Sequence, residues 1–224
     1  MEDKRLIKVT GKGNLKVKPD VTRITITLEG CYKVYEESLR RSSEDTESLK
    51  DVLEGLGFKR EDVKTLSFNV NTKRESYQTK TGNWKERFVG YEFRHVMKVE
   101  FDSDNARLGK VLYALANAEK ITPEFWLSYT VKDKEASKNE LLGKAVEDAK
   151  AKAVVLSKAA GVKLKQIQSI DYSWGEIDFE CSPISEHFRN QSMMMCKESG
   201  SYDVNVEPDD IEVSDTVTVT WEIG

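Results

Sequence analysis

Histidine and cysteine are scarce in this chain. Among 224 residues there are two histidines, His95 and His187, and three cysteines, Cys31, Cys181 and Cys196. An odd, widely spaced set of cysteines excludes a disulfide framework, and reduced thiols are the expectation. No zinc-ligand spacing occurs. Long apolar runs are also missing. No stretch approaches the roughly 20 residues that cross a bilayer as a helix. The opening, MEDKRLIKVTGKG, has no apolar signal region, so a cytoplasmic location is expected. Neither charge sign dominates. Charged residues make up 33 % of the chain with a net charge of −4, and the two signs are interspersed. That excludes the clustered basic face a nucleic-acid partner requires. Nucleotide loops are absent as well. Gly11-Lys12-Gly13 has Lys16 where a third glycine would stand, and a strand rather than a helix follows. It reads as a turn. No cofactor, no metal site and no catalytic residue is expected.

What the chain does contain is one long amphipathic helix, from Asp133 to Gly161. Leu142, Ala145, Ala149, Ala153, Leu156 and Ala160 recur at steps of three and four and share one stripe. Ser137 with Glu140 forms a capping-box pattern, with Asp133 as the alternative cap one turn earlier. Gly161 is placed to end the helix. At 1.5 Å per residue it is roughly 40 Å long. A stripe of alanines admits a close partner, which favours a flat sheet over a second bulky helix.

Around it lie alternating strands. Val21–Glu29 puts Ile24, Ile26 and Leu28 on one face, and Gly90–Phe101 does the same with Tyr91, Phe93, His95, Met97, Val99 and Phe101. Further strands are predicted at Leu6–Val9, Val63–Val70, Thr122–Val131, Ile167–Trp174 and Ile211–Ile223. A first helix is predicted from Val34 to Leu56, with Tyr35, Leu39, Leu49, Val52, Leu53 and Leu56 inward. Its middle turn is polar, with Ser42, Ser43 and Thr46. A second helix, capped at Asp102 to Asp104, runs to about Ala118. Lys73 to Lys85 reads as the tip of a long hairpin, and Gly175 to Pro208 as a long loop. One-face alternation with intervening helices predicts an α+β fold. In it, a two-layer, mostly antiparallel sheet carries helices on one face.

The halves also resemble each other. A shift of 104 positions lays Gly57 on Gly161, Leu66 on Ile170 and Phe68 on Tyr172. This predicts a βαββ duplication, about 21–101 and 122–223, within one continuous sheet and a single domain, 1–224.

Several short motifs, in order, resemble a known family. Ile7-Lys8-Val9-Thr10-Gly11-Lys12-Gly13 and Val17-Lys18-Pro19-Asp20 are similar to the opening of the SIMPL domain, also called DUF541. Asp62-Val63-Lys64-Thr65, Gly90-Tyr91, the helix Ala145–Ala153 with Leu156 and Gly161-Val162, and the closing Val217–Trp221 fall in the same order as that family's marks. The resemblance spans Leu6 to Ile223. It implies an α+β fold and a tendency to self-assemble. It also implies links to oxidative-stress defence, the cell envelope and, in animals, signalling adaptors. It supplies no catalytic residues.

Two features compete as functional candidates. His95 lies on the apolar face of its strand and reads as a satisfied core or interface histidine rather than a catalytic one. The loop 175–208 carries Cys181, His187, Met193, Met194, Met195 and Cys196. These donors suit a soft metal such as Cu(I) or a redox-sensitive element. A packing or assembly loop is the third reading, since methionine adapts to irregular contacts. The sequence therefore predicts a non-enzymatic, homo-oligomeric protein with a protective role in oxidative or envelope stress. The alternative is a small-molecule or soft-metal binding module built on the loop 175–208.

Overall fold

Period-two alternation becomes strands and the alanine stripe becomes a helix lying on them. The computed structural model describes residues 5–172, 177–182, 195–196 and 201–224. The elements in order are β1 (Leu6–Val17), β2 (Val21–Tyr32), α1 (Tyr35–Glu54), β3 (Lys64–Gln78), β4 (Trp84–Asp102) and α2 (Asn105–Ala116). Then come β5 (Glu124–Thr130), α3 (Lys134–Ala159), β6 (Leu164–Tyr172), β7 (Glu180–Cys181), β8 (Met195–Cys196), β9 (Ser201–Tyr202) and β10 (Ile211–Ile223). The fold is α+β. Contacts divide the chain into two compact units. One comprises Met1–Asp20, Thr130–Cys181 and Pro208–Gly224, the other Val21–Tyr129 and Ser182–Glu207. Among the described residues no helix is long and apolar enough to cross a membrane.

In the first unit β1, β10 and β6 form an antiparallel sheet in that order. Helix α3 lies on it. Ala145, Ala149 and Ala153 pack with Val9, Val217, Val219 and Trp221. Asp133 caps the helix, its carboxylate accepting from the Ala136 amide at 2.8 Å, so the alternative cap is the one used. Gly161 takes φ +68° at the far end, as a helix stop should. The inward stripe is Leu141, Ala145, Ala149, Ala153 and Ser157. The alanines are as expected, but Leu156 is exposed.

Gly11 and Gly13 correct the expected turn. β1 runs unbroken through both, pairing with Val217 and Asp215. A Cβ on Gly11 would lie 2.1 Å from the Ala145 carbonyl oxygen and 2.3 Å from the Ala149 amide nitrogen. The glycines are therefore room for the helix backbone, and the alanines facing them complete a close approach. The Lys12 amide, between them, donates to Asp148 of α3 at 2.7 Å. Lys152 and that amide together hold the Asp148 carboxyl below its usual range.

In the second unit β3, β4, β2 and β5 lie side by side in that order. Ile24, Ile26, Leu28, Phe93, Met97 and Val99 of the sheet meet Leu49 and Leu53 of α1 and Leu108, Val111, Leu112 and Leu115 of α2. Asp104 caps α2 through the Ala106 amide at 2.9 Å. Arg60 reaches back to Glu47, Asp51 and Glu54 of α1. Arg107 lies 4.3 Å from the Phe58 ring centroid, a cation–π contact.

The expected single continuous sheet is replaced by two. The contiguous halves 21–101 and 122–223 do not each carry a whole sheet. β5 precedes α3 in sequence but pairs with β2, and β1 takes the third place beside β10. The resulting orders, β3-β4-β2 and β6-β10-β1, are alike.

Candidate functional site

The first half of helix α1 turns a stripe of hydroxyls, not leucines, toward the sheet, and Leu49 and Leu53 continue that stripe. Ser38, Ser42 and Thr46, at steps of four, are buried, while Tyr35 and Leu39 are exposed. This reverses the expected inward set at the start of the helix. The large majority of buried hydroxyls have a hydrogen-bond partner. Ser38 donates to the Tyr91 carbonyl at 2.8 Å. Thr46 donates to the Ser42 carbonyl at 2.7 Å.

Thr46 also meets His95 of β4. Its Oγ1 lies 2.9 Å from Nδ1 of the ring. The threonine proton is already given to Ser42, so Nδ1–H donates and Thr46 accepts. Nε2 then carries the lone pair, and the Thr65 hydroxyl of β3, 2.9 Å away, donates to it. The ring is a neutral imidazole held at both nitrogens. Burial, then the charge of Lys50, pushes its pKa below the usual histidine value. Phe68 sits edge-on to the ring at 5.2 Å.

A groove of about 380 Å³ opens here, lined by Leu39, Ser43, Glu47, Lys50, Phe68 and His95 among others. Glu47 is its carboxylate, and Lys50 lies 3.2 Å from it. Both ring nitrogens of His95 are taken by threonines, which leaves Glu47 no place as the histidine's partner. The arrangement clamps α1, β3 and β4 together. His95 is thus the satisfied histidine the sequence suggested. Thr65, and the pairing of Thr46 with the ring, were not legible. The only signal was the polar step from Ser42 to Thr46.

Beyond the groove the sheet ends at β3. Its residues are almost all exposed, including Leu66 and Phe68. From Thr65 to Thr72 the strand carries no charge. In the first unit β6 is exposed in the same way, with Ile167, Ile170 and Tyr172 open. Ile170 and Tyr172 pair with Val219 and Val217 of the core. They share the helix-bearing face but lie outside the α3 core cluster.

The metal or redox candidate is only partly described. His187, Met193 and Met194 lie outside the described residues. Met195–Cys196 forms a short strand with Ser201–Tyr202. The Cys181 thiol points to the Asp209 carbonyl at 3.5 Å. Burial first, then the Asp209 and Glu180 charges, pushes its pKa up, which disfavours the thiolate that binds metals. Among the described residues no group of three or more His, Cys, Asp or Glu is placed to hold a metal ion.

A family model described as "SIMPL: Protein of unknown function (DUF541)" matches residues 7–221. No curated protein matches the chain.

Proposed function

From the premise that this chain belongs to the SIMPL family, we propose that it works by assembling with copies of itself rather than by catalysis. Its setting in this reading is protection under oxidative or envelope stress. One observation carries the assembly: large apolar side chains stand uncovered on the outermost strands of both sheets. Leu66 and Phe68 of β3 are 53 % and 47 % exposed, and Ile167 and Ile170 of β6 are each 51 % exposed. Single exposed apolar residues need no explanation, but groups at open sheet edges are where chains pair. The stress setting rests on the family resemblance alone.

Light scattering after size exclusion, with and without reductant, tests this reading. The expected result is one discrete oligomer, unchanged by reductant, because its interface is made of strands and not thiols. A monomer would contradict assembly. An oligomer that falls apart in reductant would transfer the function to the cysteines.

A further inference from the structure

Among the described residues three long strands, β1, β6 and β3, end a sheet and can accept another strand, and they are not equal. β1 is guarded. Its Lys12 amide is already bonded to Asp148, and Lys8, Lys12 and Lys16 stud the strand. β6 is irregular. Its register against β10 shifts twice within nine residues, and it carries Lys165 and Asp171. Bulges and charges of this kind disfavour backbone pairing along an edge, so the open side chains of β6 offer a packing surface rather than a strand-pairing edge. β3 has a regular run from Ser67 to Lys73, bounded by irregularities between Thr65 and Ser67 and between Lys73 and Arg74. Within it the residues Ser67 to Thr72 are uncharged, with no proline or glycine.

The middle residue of that run is Val70. We infer that β3 pairs with β3 of a second copy, antiparallel about a two-fold axis through Val70, an inference that rests on the assembly reading above. This register sets Phe68 opposite Thr72, Asn69 opposite Asn71 and Ser67 opposite Lys73. No like charges meet, and the two amide side chains form cross-strand pairs on one face. Both copies of Phe68 stay on the face where the His95 groove opens, so the groove lies along the seam. A two-fold contact of this kind is isologous and closes on itself, which ends growth at the pair instead of propagating a fibre.

Asn69 and Asn71 are exposed, so they can be replaced without disturbing the core. Asn69→Lys with Asn71→Lys in one chain sets lysine against lysine twice across the axis. We expect loss of the wild-type oligomer, to a smaller discrete species with unchanged circular dichroism. The Asn69→Glu, Asn71→Glu chain should dissociate in the same way. Mixing the two should restore the wild-type mass. Variants that keep that mass would overturn the β3 pairing while leaving assembly standing. Folded variants that fail to recombine on mixing would overturn it too. A monomeric wild type would overturn both readings. A second measurement does not depend on those variants. With the native cysteines changed to Ser, Val70→Cys should give a covalent dimer on mild oxidation, and Asn83→Cys at the hairpin tip should not. Absence of the Val70→Cys dimer would overturn the register.

Discussion

Gly11→Val is expected to destabilise the protein by about 3 kcal/mol, in the upper range for overpacking a filled interior. The first added carbon would sit 2.1 Å from the Ala145 carbonyl oxygen, 2.3 Å from the Ala149 amide and 2.7 Å from the Ala149 Cβ. Two of those atoms are helix backbone, so no side-chain rotation relieves the clash. Helix α3 must lift from β1, and the packing of Val9 and Trp221 against its alanines loosens with it. Gly143 supplies a control of opposite sign on the same helix. A Cβ there meets nothing within 4 Å, and the site is exposed. Gly143→Ala should stabilise by about 0.5–1 kcal/mol through helix propensity. Denaturant unfolding of both variants measures the pair. Equal and small effects would contradict the close-approach account of the glycines.

His95 is expected to make the native state sensitive to acid. Its folded pKa lies below the usual value because burial and then Lys50 oppose a second ring proton. The unfolded chain, with an ordinary histidine near pKa ~6.5, therefore binds the proton first as pH falls. Between the two values the unfolded state holds more protons than the native state. Stability from this group is complete above the unfolded pKa and is lost as pH falls through the folded one. Protonation would also turn Nε2 into a donor facing Thr65, whose hydroxyl now donates to it across 2.9 Å. Proton NMR should show the His95 ring titrating below the ordinary range. In unfolding measured against pH, His95→Gln should lose the part of the acid dependence that begins near the ordinary histidine pKa of about 6.5. A ring that titrates above that value, or a variant with an unaltered profile, would contradict the clamped neutral imidazole.

The elements that were legible are those whose signal is local. β10 spans Ile211–Ile223 as the alternation of Val213, Val217, Val219 and Trp221 indicates, and β4 contains the predicted strand. The Ala145–Ala149–Ala153 stripe set the buried face of α3 correctly, but its flanking leucines did not. Leu141 and Leu142 differ by one helical step, and only the sheet beneath decides which is buried. The role of Gly11 and Gly13 is not legible in the sequence, because a glycine that turns a chain and one that makes room for another backbone look the same there. The room is set by Ala145 and Ala149, far along the chain. Likewise, nothing near His95 names Thr46 or Thr65 as its partners, because they arrive from α1 and β3. The sheets themselves divided against sequence order, since β1 and not β5 completes the strand set under α3. Alternation shows that a strand has a buried face, but not which neighbour it joins.

Pairing through the regular edge of β3 can be read amide by amide, by residue-resolved hydrogen exchange of the native protein. In an isolated edge strand every second amide points to solvent and exchanges fast. Paired with a second copy, β3 should show slow exchange at consecutive amides from Ser67 to Lys73, with both edges of the strand bonded. Alternate amides of that run exchanging as fast as those of Lys80 and Thr81 at the hairpin tip would contradict it.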